Sequence, residues 1–204
     1  MLLLCAPLYP VTDFEHSLAL EARMELAVES DEELMLRYTQ GDVRAFELLY
    51  SRHRAPFWRF LTRLIGSSAE GEELFQEAWQ RVISARSQYQ PNAPFRAWLY
   101  RVGHNLAIDQ LRRKKLAPEQ ALDDMVLQFA SADPSPDARA ISAEQHTRLL
   151  QSLSDLPAEQ RAVVLLKAEG DLSLEQMGEL TGDGRETVKS RLRYALNKLK
   201  QALS

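Results

Sequence analysis

A chain of 204 residues, 45% of them hydrophobic and with one cysteine, holds enough apolar mass for one or two small cores and excludes an internal disulfide framework. No apolar run approaches the ~20 residues that a membrane span requires. Residues 1–5 are apolar but short, lack a basic flank and are followed by acids from Asp13, so a secretory signal is not expected and the chain reads as cytoplasmic.

The net charge of −4 conceals segregation. Residues 12–34 carry net −7, residues 96–115 net +5, residues 116–147 net −5 and residues 185–204 net +5. Two basic islands separated by acid point to two anion-facing surfaces, and DNA is the obvious polyanion. Ordinary surface patterning is the plainer account. The acidic stretches would also shield the basic ones until a partner arrives.

Residues 1–29 show no clear pattern, either a tail or a marginal helix from about Ser17, and Met24 offers a second start just before the first helix. Ser30-Asp31-Glu32-Glu33 is a capping box and opens a helix with Leu34 and Tyr38 on one face. Gly41-Asp42 punctuates it. The next helix carries Phe46, Leu49, Tyr50, Phe57, Phe60, Leu61 and Leu64, with Pro56 as a kink or a break. Gly66-Ser67-Ser68 ends that helix and starts another.

The helix predicted from about Ser68 to Ser84 sets Leu74, Ala78 and Val82, with Phe75, Trp79 and Ile83 beside them, on one broad apolar face. Glu73, Gln76, Glu77 and Gln80 fall on the other face, an acid-and-amide stripe suited to a basic protein partner. After the loop Gln90-Pro91-Asn92-Ala93-Pro94, a helix starts near Phe95 with Trp98, Leu99, Val102 and Leu106 inside. Arg101, Asn105, Asp109 and Arg112 line its outer face, and it ends in Arg112-Arg113-Lys114-Lys115, a stripe suited to nucleic acid. A solvated helix face accounts for either stripe taken alone. Residues 30–115 thus read as one all-helical domain.

Residues 116–146 read as a flexible acidic linker rich in Pro, Ser and Asp, with at most a transient helical turn over 123–129. The helical period returns from Ile141, and residues 147–204 form a second domain. Leu149, Leu150, Leu153 and Leu156 lead to Pro157, which suits the first turn of a helix holding Val163, Val164, Leu165 and Leu166. That helix stops at Glu169-Gly170. A second capping box, Ser173-Leu174-Glu175-Gln176, opens a short helix to Thr181. Gly182-Asp183-Gly184 turns the chain, and a long helix follows from about Arg185 with Val188, Leu192, Ala195, Leu196, Leu199 and Leu203 inside. Short helix, glycine turn and basic helix make the outline of a helix-turn-helix. Arg185, Glu186, Lys189, Ser190 and Arg193 face away from the inner stripe. Arginine bridges guanine edges and glutamate accepts from cytosine, while lysine and serine more often hold phosphate. A three-helix bundle with a charged exterior is the alternative.

The run L-F-Q-E-A-W, then P-F-R-A-W-L-Y-R-V-G-H-N-L-A-I-D-Q-L-R-R, resembles region 2 of bacterial sigma factors, above all the extracytoplasmic-function (ECF) group. L-P-A-E-Q-R-A-V-V-L-L-K and T-V-K-S-R-L-R-Y-A-L-N-K-L look like region 4 of the same group. The resemblance implies an all-α chain of two small domains, a region 2 bundle and a region 4 helix-turn-helix, joined by the flexible acidic linker. It implies a dissociable, non-catalytic subunit that binds the β′ and β subunits of core RNA polymerase and promoter DNA, with an anti-sigma factor as a further partner. Glu73, Gln76, Glu77 and Gln80 would meet the clamp helices of β′, Glu73 standing where the family usually has aspartate. Gln90, Asn92, Phe95, Trp98, Tyr100, Arg101, Asn105, Arg112 and Arg113 would capture and open the −10 element. The rings of Phe95, Trp98 and Tyr100 are the ones available to stack on unstacked bases, with core packing as the alternative, preferred for Trp98. Arg185, Glu186, Thr187, Lys189, Ser190 and Arg193 would read the −35 element, Glu186 replacing a frequent glycine.

No catalytic centre, cofactor, metal or small-molecule substrate is expected. His16, His53, His104 and His146 are scattered without ligand spacing, and no phosphate-binding glycine loop or nucleophile elbow occurs. Two other readings stay open on the residues alone. One is a self-sufficient helix-turn-helix repressor or activator; the other is a decoy that binds polymerase without reading DNA.

Overall fold

The computed structural model describes residues 29–116 and 139–202, and the regular structure there is helical, with no strand among the described residues. The expected tail and most of the expected linker lie outside them. In chain order the helices are α1 (Asp31–Thr39), α2 (Val43–Ile65), α3 (Ser68–Ser84), α4 (Phe95–Leu116), α5 (Arg139–Ser154), α6 (Ala158–Ala168), α7 (Leu174–Thr181) and α8 (Arg185–Ala202), with a 3-10 turn at Arg86–Gln88.

Local chemistry starts α1, α2 and α3. The Ser30 hydroxyl accepts from the Glu33 amide at 3.3 Å, and the Glu33 carboxylate accepts from the Ser30 amide at 2.9 Å. Asp42 accepts from the amides of Arg44 and Ala45 at the start of α2. Pro56 neither breaks nor ends α2, which runs unbroken for 23 residues. An interior proline costs a helix about 3 kcal/mol. Buried Leu49 and His53 before it, and Phe57, Phe60, Leu61 and Leu64 after it, anchor both sides, and that burial outweighs the cost.

Phe57 sits at the centre of the first unit, its ring 5.9 Å from Phe75, 6.3 Å from Trp79 and 5.3 Å from Tyr100. The start of α3 crosses α2 at Gly71, where an added Cβ would stand 2.6 Å from the Thr62 backbone. Only hydrogen fits there, and the close approach sets the angle at which α3 turns its polar stripe outward. Ile83, expected on the apolar face, is 40% exposed, because it follows Val82 by one residue and is rotated by about a quarter turn out of the stripe. Leu196 departs in the same way beside buried Ala195 and is 51% exposed.

In the second unit, α6 buries Ala162 to Leu166 between α8, which contributes Val188, Ala195 and Leu199, and α2 of the first unit. The helix α5 already begins at Arg139, inside the stretch read from sequence as linker. The two units touch. Helix α2 packs against α5 and α6, α4 packs against α7, and the buried side chains of both units form one continuous cluster.

Candidate nucleic-acid interface

Helix α3 presents Glu73, Gln76, Glu77 and Gln80 to solvent while Leu74, Phe75, Ala78, Trp79 and Val82 are buried. Glu77 pairs with Arg81 one turn on at 2.6 Å, and Gln76 donates to Glu72 at 3.2 Å. Glu72 also receives the Trp58 indole N–H at 2.7 Å, which ties the stripe to α2. These groups are exposed and screened, so the stripe is an open acceptor surface and adds little to stability.

The loop before α4 is anchored from below. Tyr89 packs 5.5 Å from Trp98 and 6.4 Å from Phe95, and its burial pushes the phenol up to about 12. Above that cluster Gln90 and Asn92 are exposed, and the Asn92 amide donates to the Gln90 side-chain oxygen at 3.1 Å. The two amides satisfy each other until something displaces one. Glu32, read from sequence only as part of a capping run, donates no proton but accepts from the Phe95 amide at 2.7 Å. It thereby caps α4 from 63 residues away. No local signal announces such a cap.

The three expected stacking rings divide. Phe95 and Tyr100 are fully buried, and this corrects their assignment to bases. Phe95 packs against His53 at 5.4 Å, and Tyr100 lies 4.9 Å from Phe60, so their faces are occupied by the core. Trp98 packs on the core but stays half-exposed. Asn105, Arg112 and Arg113 are exposed as expected; Arg101 is half-buried, with its Nε enclosed and without a protein partner. Lys114 is held by Glu70 of α3 at 2.6 Å, whereas Arg112 stands 3.8 Å from Asp109 in an exposed pair. His104 is buried, its Nδ1 without a protein partner, and burial lowers its basicity.

In the second unit Ser173 caps α7 through a capping box with Gln176, and Gly182 ends it at φ 75, a left-handed conformation that glycine adopts without strain. Helix α8 then exposes Arg185, Glu186, Thr187, Lys189 and Arg193, with Ser190 half-buried. The cations there are not idle. Arg185 is held by Glu175 of α7 and lies 3.1 Å from Glu186, Lys189 lies 3.5 Å from Glu186, and Arg191 is held by Asp183 of the turn. The Arg193 guanidinium covers the exposed Tyr194 ring at 5.2 Å. Of the residues expected at the −35 element, all but half-buried Ser190 are thus exposed on α8, and Glu175 of α7 and Asp183 of the turn are the unexpected members beside them. Among the described residues no group of His, Cys, Asp or Glu could hold a metal ion, and no helix is long and apolar enough to cross a membrane.

Comparison with known proteins agrees on both units. Residues 49–116 match the family Sigma-70 region 2, and residues 152–201 match Sigma-70, region 4. The ECF RNA polymerase sigma factor SigW of Bacillus subtilis is 30% identical over 80% of this chain and 91% of its own. The RNA polymerase sigma factor CarQ of Myxococcus xanthus is 34% identical over 83% of this chain and 95% of its own. The fold is shared with the sigma factor RpoE of Bartonella quintana, solved in complex with the anti-sigma factor NepR. Its TM-score is 0.65 at 20% identity, covering 78% of this chain and 96% of that one. It is also shared with CnrH, solved with the cytosolic domain of CnrY, at a TM-score of 0.62, 23% identity, 86% of this chain and 97% of that one.

Proposed function

We propose how labour is divided in a chain that belongs to the ECF group of the sigma-70 family. As a member of that family it binds core RNA polymerase and directs promoter-specific initiation of DNA-templated transcription. Residues 30–115 carry polymerase binding and the −10 element, and residues 147–204 carry the −35 element.

In this reading Glu73, Gln76, Glu77 and Gln80 meet a basic surface of the β′ subunit. Asn92 and Gln90 release one another and hydrogen-bond an extruded −10 base. Trp98, the half-exposed ring of the three, offers the stacking edge, and Asn105, Arg112 and Arg113 follow the backbone. Arg185 and Glu186 stand at the N-terminal end of α8, where base-reading residues belong. The remaining exposed groups of α8 hold phosphate. The chain acts in the cytoplasm with its polymerase and carries no catalytic centre; nucleotide chemistry and magnesium belong to the core enzyme. An anti-sigma factor is a further partner, supported by the complex in which the similarly folded RpoE was solved.

The observation that carries the reading is the pairing of an exposed acid-and-amide helix with a helix-turn-helix on one chain. Run-off transcription with bacterial core polymerase on a library of genomic promoters tests it. Initiation at a defined subset is expected. Tight sequence-specific binding by the chain alone, with no initiation, would favour the repressor reading instead.

A further inference from the structure

The loop Gln90-Pro91-Asn92-Ala93-Pro94 delivers the chain to α4 without a cap of its own. Ala93 and Pro94 carry no side-chain acceptor, so neither caps the helix that follows. Phe95 is fully buried, and a buried amide left unpaired is costly. The acceptor comes from α1, where the Glu32 carboxylate receives the Phe95 N–H at 2.7 Å. Trp98 then starts the helical ladder, its amide donating to the Pro94 carbonyl at 3.2 Å.

Glu32 holds its place because α1 is pinned on both sides of it. Asp31 lies 2.6 Å from His53 Nε2 and 2.9 Å from Arg52. Arg52 also donates to the Glu29 carbonyl at 2.8 Å, and Leu34 and Met35 are fully buried. His53 in turn packs on the Phe95 ring at 5.4 Å. The Glu32 carboxylate and the Phe95 amide therefore meet over the same point of α2. The other end of the loop is fixed to the same turn of α4, through Tyr89 against Phe95 and Trp98. Between the two anchors Gln90 and Asn92 stand exposed. A shift of the first turn of α4 moves both anchors at once, and the loop with them.

We propose that Glu32 is a positioning residue for opening of the −10 element. By holding the Phe95 amide it fixes the first turn of α4, and so keeps the Gln90 and Asn92 side chains where an extruded base is received. The proposal rests on the reading above that these two amides capture that base. Glu32 acts through the backbone of Phe95, and what it must supply is an acceptor at this reach. Glu32→Gln keeps an oxygen on the same arm without the charge. Glu32→Asp keeps the charge and withdraws it by one methylene.

The test has two arms, both on the full chain. In the first, amide hydrogen exchange is followed by NMR without polymerase. Phe95 should be protected in the wild type and in Glu32→Gln, and should exchange about tenfold faster in Glu32→Ala and Glu32→Asp. In the second, core polymerase carrying each variant is timed in single-round run-off on a promoter that the unsubstituted chain uses. Glu32→Ala and Glu32→Asp should slow open-complex formation by about tenfold, the effect of one lost hydrogen bond. Closed binding should be unchanged, Glu32→Gln should open like the wild type, and a preformed bubble over the −10 element should rescue the slow variants. Glu32→Ala combined with Asn92→Ala should be little slower than Asn92→Ala alone, because positioning a loop that has lost its capturing amide gains nothing. If Glu32→Ala loses its helical circular dichroism, Glu32→Asp is read in its place. Unchanged exchange at Phe95 overturns the proposal, as do fully additive effects with Asn92→Ala, which would report general destabilisation. Wild-type opening by Glu32→Ala, with Asn92→Ala slow, overturns the proposal alone. Wild-type opening by Asn92→Ala overturns the loop reading together with the proposal that rests on it.

Discussion

Asp31 ties the first helix to the core at a place where the sequence shows only a capping run. Its carboxylate lies 2.6 Å from His53 Nε2 and 2.9 Å from Arg52, both on α2. Burial pushes the carboxyl up, but the hydrogen bonds and charges of His53 and Arg52 together outweigh it and hold it at about 2, against an ordinary 3.8. A carboxyl depressed in the folded state stabilises the fold above its unfolded value and loses that contribution as pH falls through the folded one. The window is therefore about pH 4 down to about pH 2, and the contribution is on the order of 2 kcal/mol. Urea unfolding across that window should show the wild type losing this increment. Asp31→Asn should be weaker at neutral pH and should lack that part of the acid decline. Equal acid slopes for the two proteins would mean that the pair carries no linkage.

At the scale of elements, α3 separates its buried stripe from its exposed acid-and-amide stripe by facing. Gln76 and Glu77 lie off the buried stripe, so Gln76→Ala with Glu77→Lys should leave helix content and melting nearly unchanged. Affinity for core polymerase should fall by tenfold or so, ~1.4 kcal/mol, as complementary charge is removed and reversed. Unchanged affinity in a binding titration would show that another face meets the polymerase. On the proposed division of labour, the two elements assigned to DNA separate by step. A base-edge contact discriminates by about 1–3 kcal/mol, so Arg185→Ala should change which −35 sequences are used. Asn92→Ala should impair opening, and a template with a preformed bubble over the −10 element should rescue it. Equal rescue of both variants would mean that reading and melting are not divided between these helices. Because Glu175 grips Arg185, removing Arg185 also frees a carboxylate, which on this reading adds repulsion from phosphate to the loss of the contact.

At the scale of the whole molecule, charge and packing act together on free DNA. Arg185, Lys189 and Arg191 of α8 are paired with Glu175, Glu186 and Asp183, and α4 faces the second unit. The free chain should therefore bind duplex DNA weakly and with a steep decline as salt rises. Core polymerase should convert this to specific binding to promoter fragments, measurable by fluorescence anisotropy over a salt series. Specific nanomolar binding without polymerase at physiological salt would contradict it.

The helices of this protein were legible in its sequence because their determinants are local. Periodic apolar residues place α3, one capping box opens α1, and the second, with the glycine at 182, bounds α7, each where the sequence leads one to expect it. The sigma motifs were legible for the same reason, as were the exposed stripes of α3 and α8, since facing follows from spacing. What required the tertiary structure was every property that depends on a partner far along the chain. Phe95 and Tyr100 look like stacking rings until α2 is seen to occupy their faces. Glu32 looks like part of a local cap until it is found at the start of α4, and Glu169 like a helix end until Arg59, Arg63 and Tyr100 close on it. Periodicity tells which side of a helix is buried. It carries no information about what covers that side, because the covering groups are chosen by how whole helices pack and not by their neighbours in sequence.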